Sequence, residues 1–107
     1  MRRAKVTFQD RFVGYLYDKD DHFEFAYDES YLVSGGFPIS VTLPLQKEPF
    51  VSKILHPFFD GLIVEGWLLQ AAEKNWKIDH NDRMSLLLLV GKDAAGAVSV
   101  TEDKGNE

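Results

Sequence analysis

The spacing of hydrophobic residues changes period part-way along this chain. Ala4, Val6 and Phe8 alternate with Arg3, Lys5 and Thr7, the two-residue period of a half-buried strand. Gln9-Asp10 reads as a tight connection to a second strand, Phe12 to Tyr17, rich in aromatic and β-branched residues. A polar turn at Asp18-Lys19-Asp20-Asp21 follows. Phe23, Phe25 and Tyr27 then alternate with His22, Glu24 and Ala26 as a third strand. Three strands with short links predict an antiparallel meander. Asp28-Glu29-Ser30 breaks the alternation and starts a short helical turn that Gly35-Gly36 ends. Ile39, Val41 and Leu43 alternate with Ser40 and Thr42, which predicts a fourth strand stopped by Pro44, and Phe50-Val51 a short fifth.

From about residue 57 the period becomes helical. Pro57 to Gly61 reads as one short turn. From Val64 to Lys77 the residues Leu68, Leu69, Ala72 and Trp76 share a stripe at about 100° per residue. Asp82 is suited to cap a second helix running through Leu86-Leu87-Leu88-Leu89-Val90, apolar nearly all round and so expected to be buried, with Gly91 as its C-terminal stop. Ala94 to Thr101 reads as a returning strand. The predicted fold class is α+β: an antiparallel sheet or small open barrel packed with two main helices. Residues 1–101 form the module and 102–107 a polar C-terminal tail.

Length allows one domain: 107 residues, 45% hydrophobic and 27% charged, with eight Phe, four Tyr and two Trp supplying much of the core area. The net charge of −5 and the scatter of Lys and Arg argue against direct binding of nucleic acid. A partner with a basic surface is favoured instead, chiefly in association rate. With no cysteine there is neither a disulfide framework nor thiolate chemistry. The basic start Met1-Arg2-Arg3 leads into no long apolar run, and the longest such run, Leu86 to Val90, is far too short for a bilayer. No membrane association and a cytoplasmic location are therefore expected.

The search for chemistry yields little. Gly91-Lys92-Asp93-Ala94-Ala95-Gly96 begins like a phosphate loop, but Ala97-Val98 stands where Lys-Ser/Thr belongs, and helix leads into strand rather than the reverse. His22, His56 and His80 sit on different elements without a second ligand one helical turn away. Asp18, Asp20 and Asp21 lack the glycine and closing glutamate of a calcium loop. No serine has a nucleophile-elbow context, and no carboxylate spacing marks an acid–base pair. The expectation is a protein that is not an enzyme and uses no cofactor and no metal.

One residue breaks the helical pattern. On a helical wheel Trp67 falls opposite the stripe of Leu68, Leu69, Ala72 and Trp76, beside Gln70, Ala71 and Lys74. Tryptophan is enriched among interface hot spots, so Trp67, Gln70, Ala71 and Lys74 are the candidate partner-binding residues. Gly66 leaves a second possibility open, that Trp67 precedes the regular helix and folds back as a staple or loop anchor.

Several blocks resemble the N-terminal domain of HipA-type toxin kinases. Phe58-Phe59-Asp60-Gly61-Leu62-Ile63-Val64-Glu65-Gly66 is similar to that family's FF-x-N-LLPEG stretch. Leu86-Leu87 through Val98 is similar to its LL-x-x-x-G-x-D-x-x-GAV stretch, and Phe25-Ala26-Tyr27, Leu32 and Pro38 to Leu45 to its Y-x-x-x-YL … PISLSLPL pattern. The ordered set runs from about Phe8 to Val100. Two departures stand out: Gly61-Leu62-Ile63-Val64 replaces Asn-Leu-Leu-Pro, and Leu68 or Leu69 stands where an Arg is usual. The resemblance implies a small β-rich domain with packed helices and none of the kinase motifs. It further implies the role of HipS-like antitoxins in split systems: binding and neutralising a HipT-like serine/threonine kinase, possibly together with a HipB-like helix-turn-helix protein. The alternative is a structural or scaffold domain of a full-length HipA-type kinase.

Overall fold

The computed structural model describes residues 2–70, 82–91 and 98–103, with side chains of the second helix described as far as Val64. Two left-handed residues start the sheet. Gln9 (φ 52°) and Asp10 (φ 67°) form the two-residue loop between β1 (Arg2–Phe8) and β2 (Arg11–Asp18), the conformation whose twist matches an antiparallel hairpin. In the next turn the Asp18 carboxylate accepts from the Asp20 N–H at 3.0 Å and the Lys19 N–H donates to the His22 carbonyl at 2.9 Å, leading into β3 (Phe23–Tyr27). The expected meander is therefore present.

Strand β4 (Phe50–Ser52) pairs with β3, and β5 (Val98–Glu102) returns antiparallel to β1, giving a five-stranded open sheet in the order β4-β3-β2-β1-β5. The last strand runs through Glu102, and the Asp103 N–H donates to the Arg3 carbonyl at 2.9 Å, so pairing reaches into the stretch the sequence pattern assigns to the tail. Ala94 to Ala97 lie outside the described residues. A bulge at Val13 shifts register between Val6↔Gly14 and Thr7↔Phe12, which brings Phe12 onto the same face as Tyr15.

Alternation gives the sheet two unlike faces. Ala4, Val6, Leu16, Phe25, Tyr27, Val98 and Val100 point to one side and are buried there. The helices cover that side: α2 (Pro57–Gln70), whose Phe59 ring lies 5.4 Å from that of Phe25, and α3 (Arg83–Val90), which adds Met84, Leu86 and Leu87 to the same core. The short helix α1 (Glu29–Ser34) is capped by the Asp28 carboxylate on the Ser30 N–H and stopped by Gly35 in the left-handed conformation (φ 76°). No helix among the described residues is long and apolar enough to cross a membrane.

Three local expectations need correction. Ile39 to Leu43 is a turn rather than a strand: the Leu43 N–H donates to the Ser40 carbonyl at 3.0 Å, and Ser40 Oγ accepts from the Thr42 N–H. Local serine bonding and the flanking Pro38 and Pro44 outcompete a ladder, so Ile39 and Leu43 are buried while Val41 stands 93% exposed. The turn expected over Pro57 to Gly61 is instead the first part of one continuous helix. Gly91 does end α3, but in the right-handed region (φ −66°); its lack of a side chain serves close packing, because a Cβ there would sit 3.0 Å from Val100. The predicted Asp82 cap is present, its carboxylate accepting from the Ser85 N–H at 3.1 Å.

Candidate partner-binding surface

The second helix packs against the sheet and is bonded to α3. Phe59, Leu62 and Ile63 are buried in the core, whereas Val64 is 53% exposed. His56 precedes the helix and satisfies two of its orphan donors. Its Nδ1 accepts from the Phe58 N–H at 3.0 Å and its carbonyl from the Asp60 N–H at 3.0 Å. Burial lowers the His56 pKa, which favours the neutral ring this acceptor role requires. From the neighbouring helix, Arg83 Nε and Nη2 both donate to Asp60 Oδ1, at 2.9 and 2.5 Å, and fix α2 against α3. Helix α3 is tied in turn to the sheet, where the Arg2 guanidinium donates to Ser85 Oγ at 2.7 Å and Ser85 Oγ donates to the Asp82 carboxylate at 2.6 Å. Hydrogen bonds from Ser85 hold the Asp82 carboxyl below its usual range.

Trp67 and Gln70 lie in the C-terminal half of α2, so Trp67 sits within a regular helix and not ahead of one. Their side chains, together with Ala71 and Lys74, lie outside the described part, as does the stripe of Leu68, Leu69, Ala72 and Trp76. The grouping of Trp67, Gln70, Ala71 and Lys74 on one side rests on helical spacing.

A second apolar surface escaped the sequence reading. Val33 (81% exposed), Phe37 (77%) and Val41 (93%) project from the end of α1 and the loop after it. Buried tyrosines pin that loop. The Tyr27 hydroxyl donates to the Leu43 carbonyl and accepts from the Ile39 N–H at 3.1 Å, and the Tyr31 hydroxyl donates to the Phe37 carbonyl at 2.5 Å. Burial raises the Tyr27 pKa, which keeps the phenol protonated for this double role. The signal available in the sequence was the pair Pro38 and Pro44 around Ser40-Val41-Thr42, which speaks for a turn.

Beside the edge strand β4 lies a cavity of about 130 Å³ lined by apolar Leu16, Phe23, Phe25, Phe50 and Val51 together with Ser52, Glu24 and His56. Both titratable groups have partners elsewhere: His56 caps α2, while the Glu24 carboxylate accepts from His22 Nε2 at 2.8 Å and pairs with Lys19 at 3.3 Å. The cavity is suited to an apolar side chain rather than to proton transfer.

Residues 4–101 match the family model of the HipA N-terminal domain. The chain belongs to that family. Among its relatives, a protein of Haemophilus influenzae with no assigned role is 35% identical over 97% of this chain and 95% of its own length. A putative kinase of Sinorhizobium fredii, Y4mE, is 30% identical over 94% of this chain, which spans only 24% of that protein. In structure the chain is similar to an N-terminal domain of HipA toxin, with a TM-score of 0.75, 30% identity and coverage of 99% and 96% of the two chains. It also shares its fold with a chain of the Shewanella oneidensis complex of HipA, HipB and operator DNA (TM-score 0.64, 21% identity, 96% of this chain and 24% of that one). The HipA-like sequence blocks fall on the surfaces just described: Phe58 to Gly66 builds α2, Leu86 to Gly91 builds α3 and its stop, and Pro38 to Leu45 is the pinned loop.

Proposed function

We propose that this HipA N-terminal-type domain is an antitoxin that binds and neutralises a HipT-like serine/threonine kinase, acting by binding in the cytoplasm and not by turnover. The observation that carries the reading is the Haemophilus relative, which this domain covers almost end to end, set against the Sinorhizobium protein, named as a putative kinase, of which it covers a quarter. The same domain thus occurs in a relative of its own size and in one far larger. A surface that packs within the larger protein is available to act between chains in the smaller. Helix α2 supplies that surface, with Trp67 as anchor beside Gln70, Ala71 and Lys74. The Shewanella complex supports a HipB-like protein as a further member of the assembly.

The test is co-purification with the kinase and inhibition of its autophosphorylation, by the wild type and by Trp67→Ala. Loss of a tryptophan anchor costs about 2 kcal/mol or more, so the inhibition constant rises about 30-fold. An unchanged constant removes Trp67 from the interface. A wild-type domain that neither co-purifies with the kinase nor slows it refutes the antitoxin role.

A further inference from the structure

Among the described residues both main helices pack on one face of the sheet, and none covers the opposite face, which carries charged and aromatic side chains. Alternation and the bulge place Arg3, Lys5, Phe12, Tyr15 and Tyr17 together there, and Lys19 from the following turn reaches over Tyr17. The rings form a continuous row: Phe12 meets Tyr15 edge-on at 5.0 Å between centroids, and Tyr15 lies 6.1 Å from Tyr17. A cation sits over each ring: Lys5 over Phe12 at 5.7 Å, Arg3 over Tyr15 at 4.4 Å, and Lys19 over Tyr17 at 5.4 Å. In a chain whose net charge is −5, this face holds three cations against the two carboxylates of Glu24 and Asp103.

We infer that this open sheet face is a docking surface for an acidic polypeptide segment, whose carboxylates bind the N–H groups of Arg3, Lys5 and Lys19 above the aromatic row. Charge complementarity selects the occupant. The rings carry the alkyl and guanidinium groups and so hold the three cations in fixed positions, which lowers the entropy lost when a carboxylate binds. Two of the cations already show how the site works. Arg3 Nη2 takes the Asp103 carboxylate at 2.9 Å, and Lys19 takes Glu24 at 3.3 Å, so internal carboxylates occupy positions that a partner's would share or displace. Lys5, at the Phe12 end of the row and 5.7 Å above that ring, has no carboxylate within ion-pair distance among the described residues and is the open position. Single-stranded nucleic acid is the poorer fit. Its bases need bare ring faces to stack on, and here cations lie over the rings. This surface lies opposite α2, so the inference stands whether or not the kinase reading holds.

The test is fluorescence anisotropy with a fluorescein-labelled Glu-rich peptide, a Gln-for-Glu peptide of the same length, and an oligothymidylate of equal charge. The Glu-rich peptide is expected to bind saturably and to weaken with salt, and the Gln peptide not to bind. Lys5→Glu is expected to weaken binding about tenfold or more, since it removes one charge-assisted contact and adds a repulsive one. Lys5→Gln reads the same contact if the charge reversal disturbs folding. Lys53→Glu, at an exposed lysine just past β4, should leave binding unchanged. The inference is overturned if the wild type does not bind the Glu-rich peptide, if Lys53→Glu weakens it as much as Lys5→Glu does, or if the oligothymidylate binds as tightly as the peptide.

Discussion

Replacing Gly61 by alanine asks whether α2 is one helix. The sequence pattern places a separate turn over Pro57 to Gly61, whereas the structure runs a single helix from Pro57 to Gln70. The two arrangements give opposite signs. In a turn ended by a glycine at positive φ, alanine is strained and destabilises. In the continuous helix Gly61 is an interior position on the solvent side, its φ is not positive, and a Cβ added there meets no atom within 4 Å. No packing term then opposes the gain in helix propensity, which is about 0.5–1 kcal/mol for glycine to alanine. For a domain of this size that raises Tm by about 3–6 °C. Thermal and urea denaturation followed by circular dichroism measure it, with an unchanged m-value as the check that only stability moved. A Tm equal to or below that of the wild type refutes the continuous helix. It would also detach Trp67 from the rigid core on which the proposed docking surface depends.

The same substitution at Gly91 has the opposite sign. Its Cβ would lie 3.0 Å from both Val100 Cβ and the Val100 carbonyl oxygen, so Gly91→Ala should cost about 1–3 kcal/mol and lower the urea midpoint. Tyr27→Phe deletes a hydroxyl that serves both the Leu43 carbonyl and the Ile39 N–H; the expected loss is about 1–3 kcal/mol, with faster hydrogen exchange at the Ile39 amide, and unchanged exchange there would refute the pinned loop. His22 lies with Nδ1 2.6 Å from Asp21 and Nε2 2.8 Å from Glu24, and hydrogen bonds to Glu24 and then Asp21 raise its pKa above 6.5. A raised folded pKa contributes stability that is complete below 6.5 and is lost as pH rises through the folded value. The wild-type urea midpoint should therefore fall across that window and His22→Asn should flatten the slope; identical slopes would remove the pair from the account.

Most of the fold was legible because burial on one face imposes a simple period. The meander, the Asp28 and Asp82 caps, the stop at Gly35 and the return of β5 all follow from residues that satisfy local backbone groups while keeping apolar side chains inside. The misreadings share one cause. Ile39, Val41 and Leu43 carry the alternation of a strand, yet what decides their conformation is a set of hydrogen bonds with Tyr27 and Ser40, one of them donated by the Ile39 N–H to a tyrosine twelve residues away. Likewise Gly61 weakens a helix locally, but the buried Phe59, Leu62 and Ile63 and the Asp60–Arg83 bridge outweigh it. Of the candidate site, the position of Trp67 and Gln70 on a helix was legible, while the exposed Phe37 and Val41 were not, because a strand would have turned Val41 inward.

A docking module gains affinity from what it need not reorganise. In this fold the backbone polar groups of the exposed loop after α1 are satisfied by tyrosines from the core side, so Phe37 and Val41 are presented to solvent on a fixed backbone rather than on a free loop. Helix α2 is likewise fixed at its start by His56 and laterally by Arg83. Among the described residues no buried side-chain nitrogen or oxygen lacks a partner, so nothing in that part of the interior asks for a rearrangement that a partner would have to drive. These constraints come from polar groups placed one layer beneath the surfaces they hold. Substitutions in that layer, such as Tyr27→Phe or Arg83→Ala, should therefore weaken partner binding through pre-organisation even though those side chains need not touch the partner. A surface substitution such as Val41→Ser should weaken it only where Val41 is itself in contact, and comparing the two kinds separates scaffold from interface.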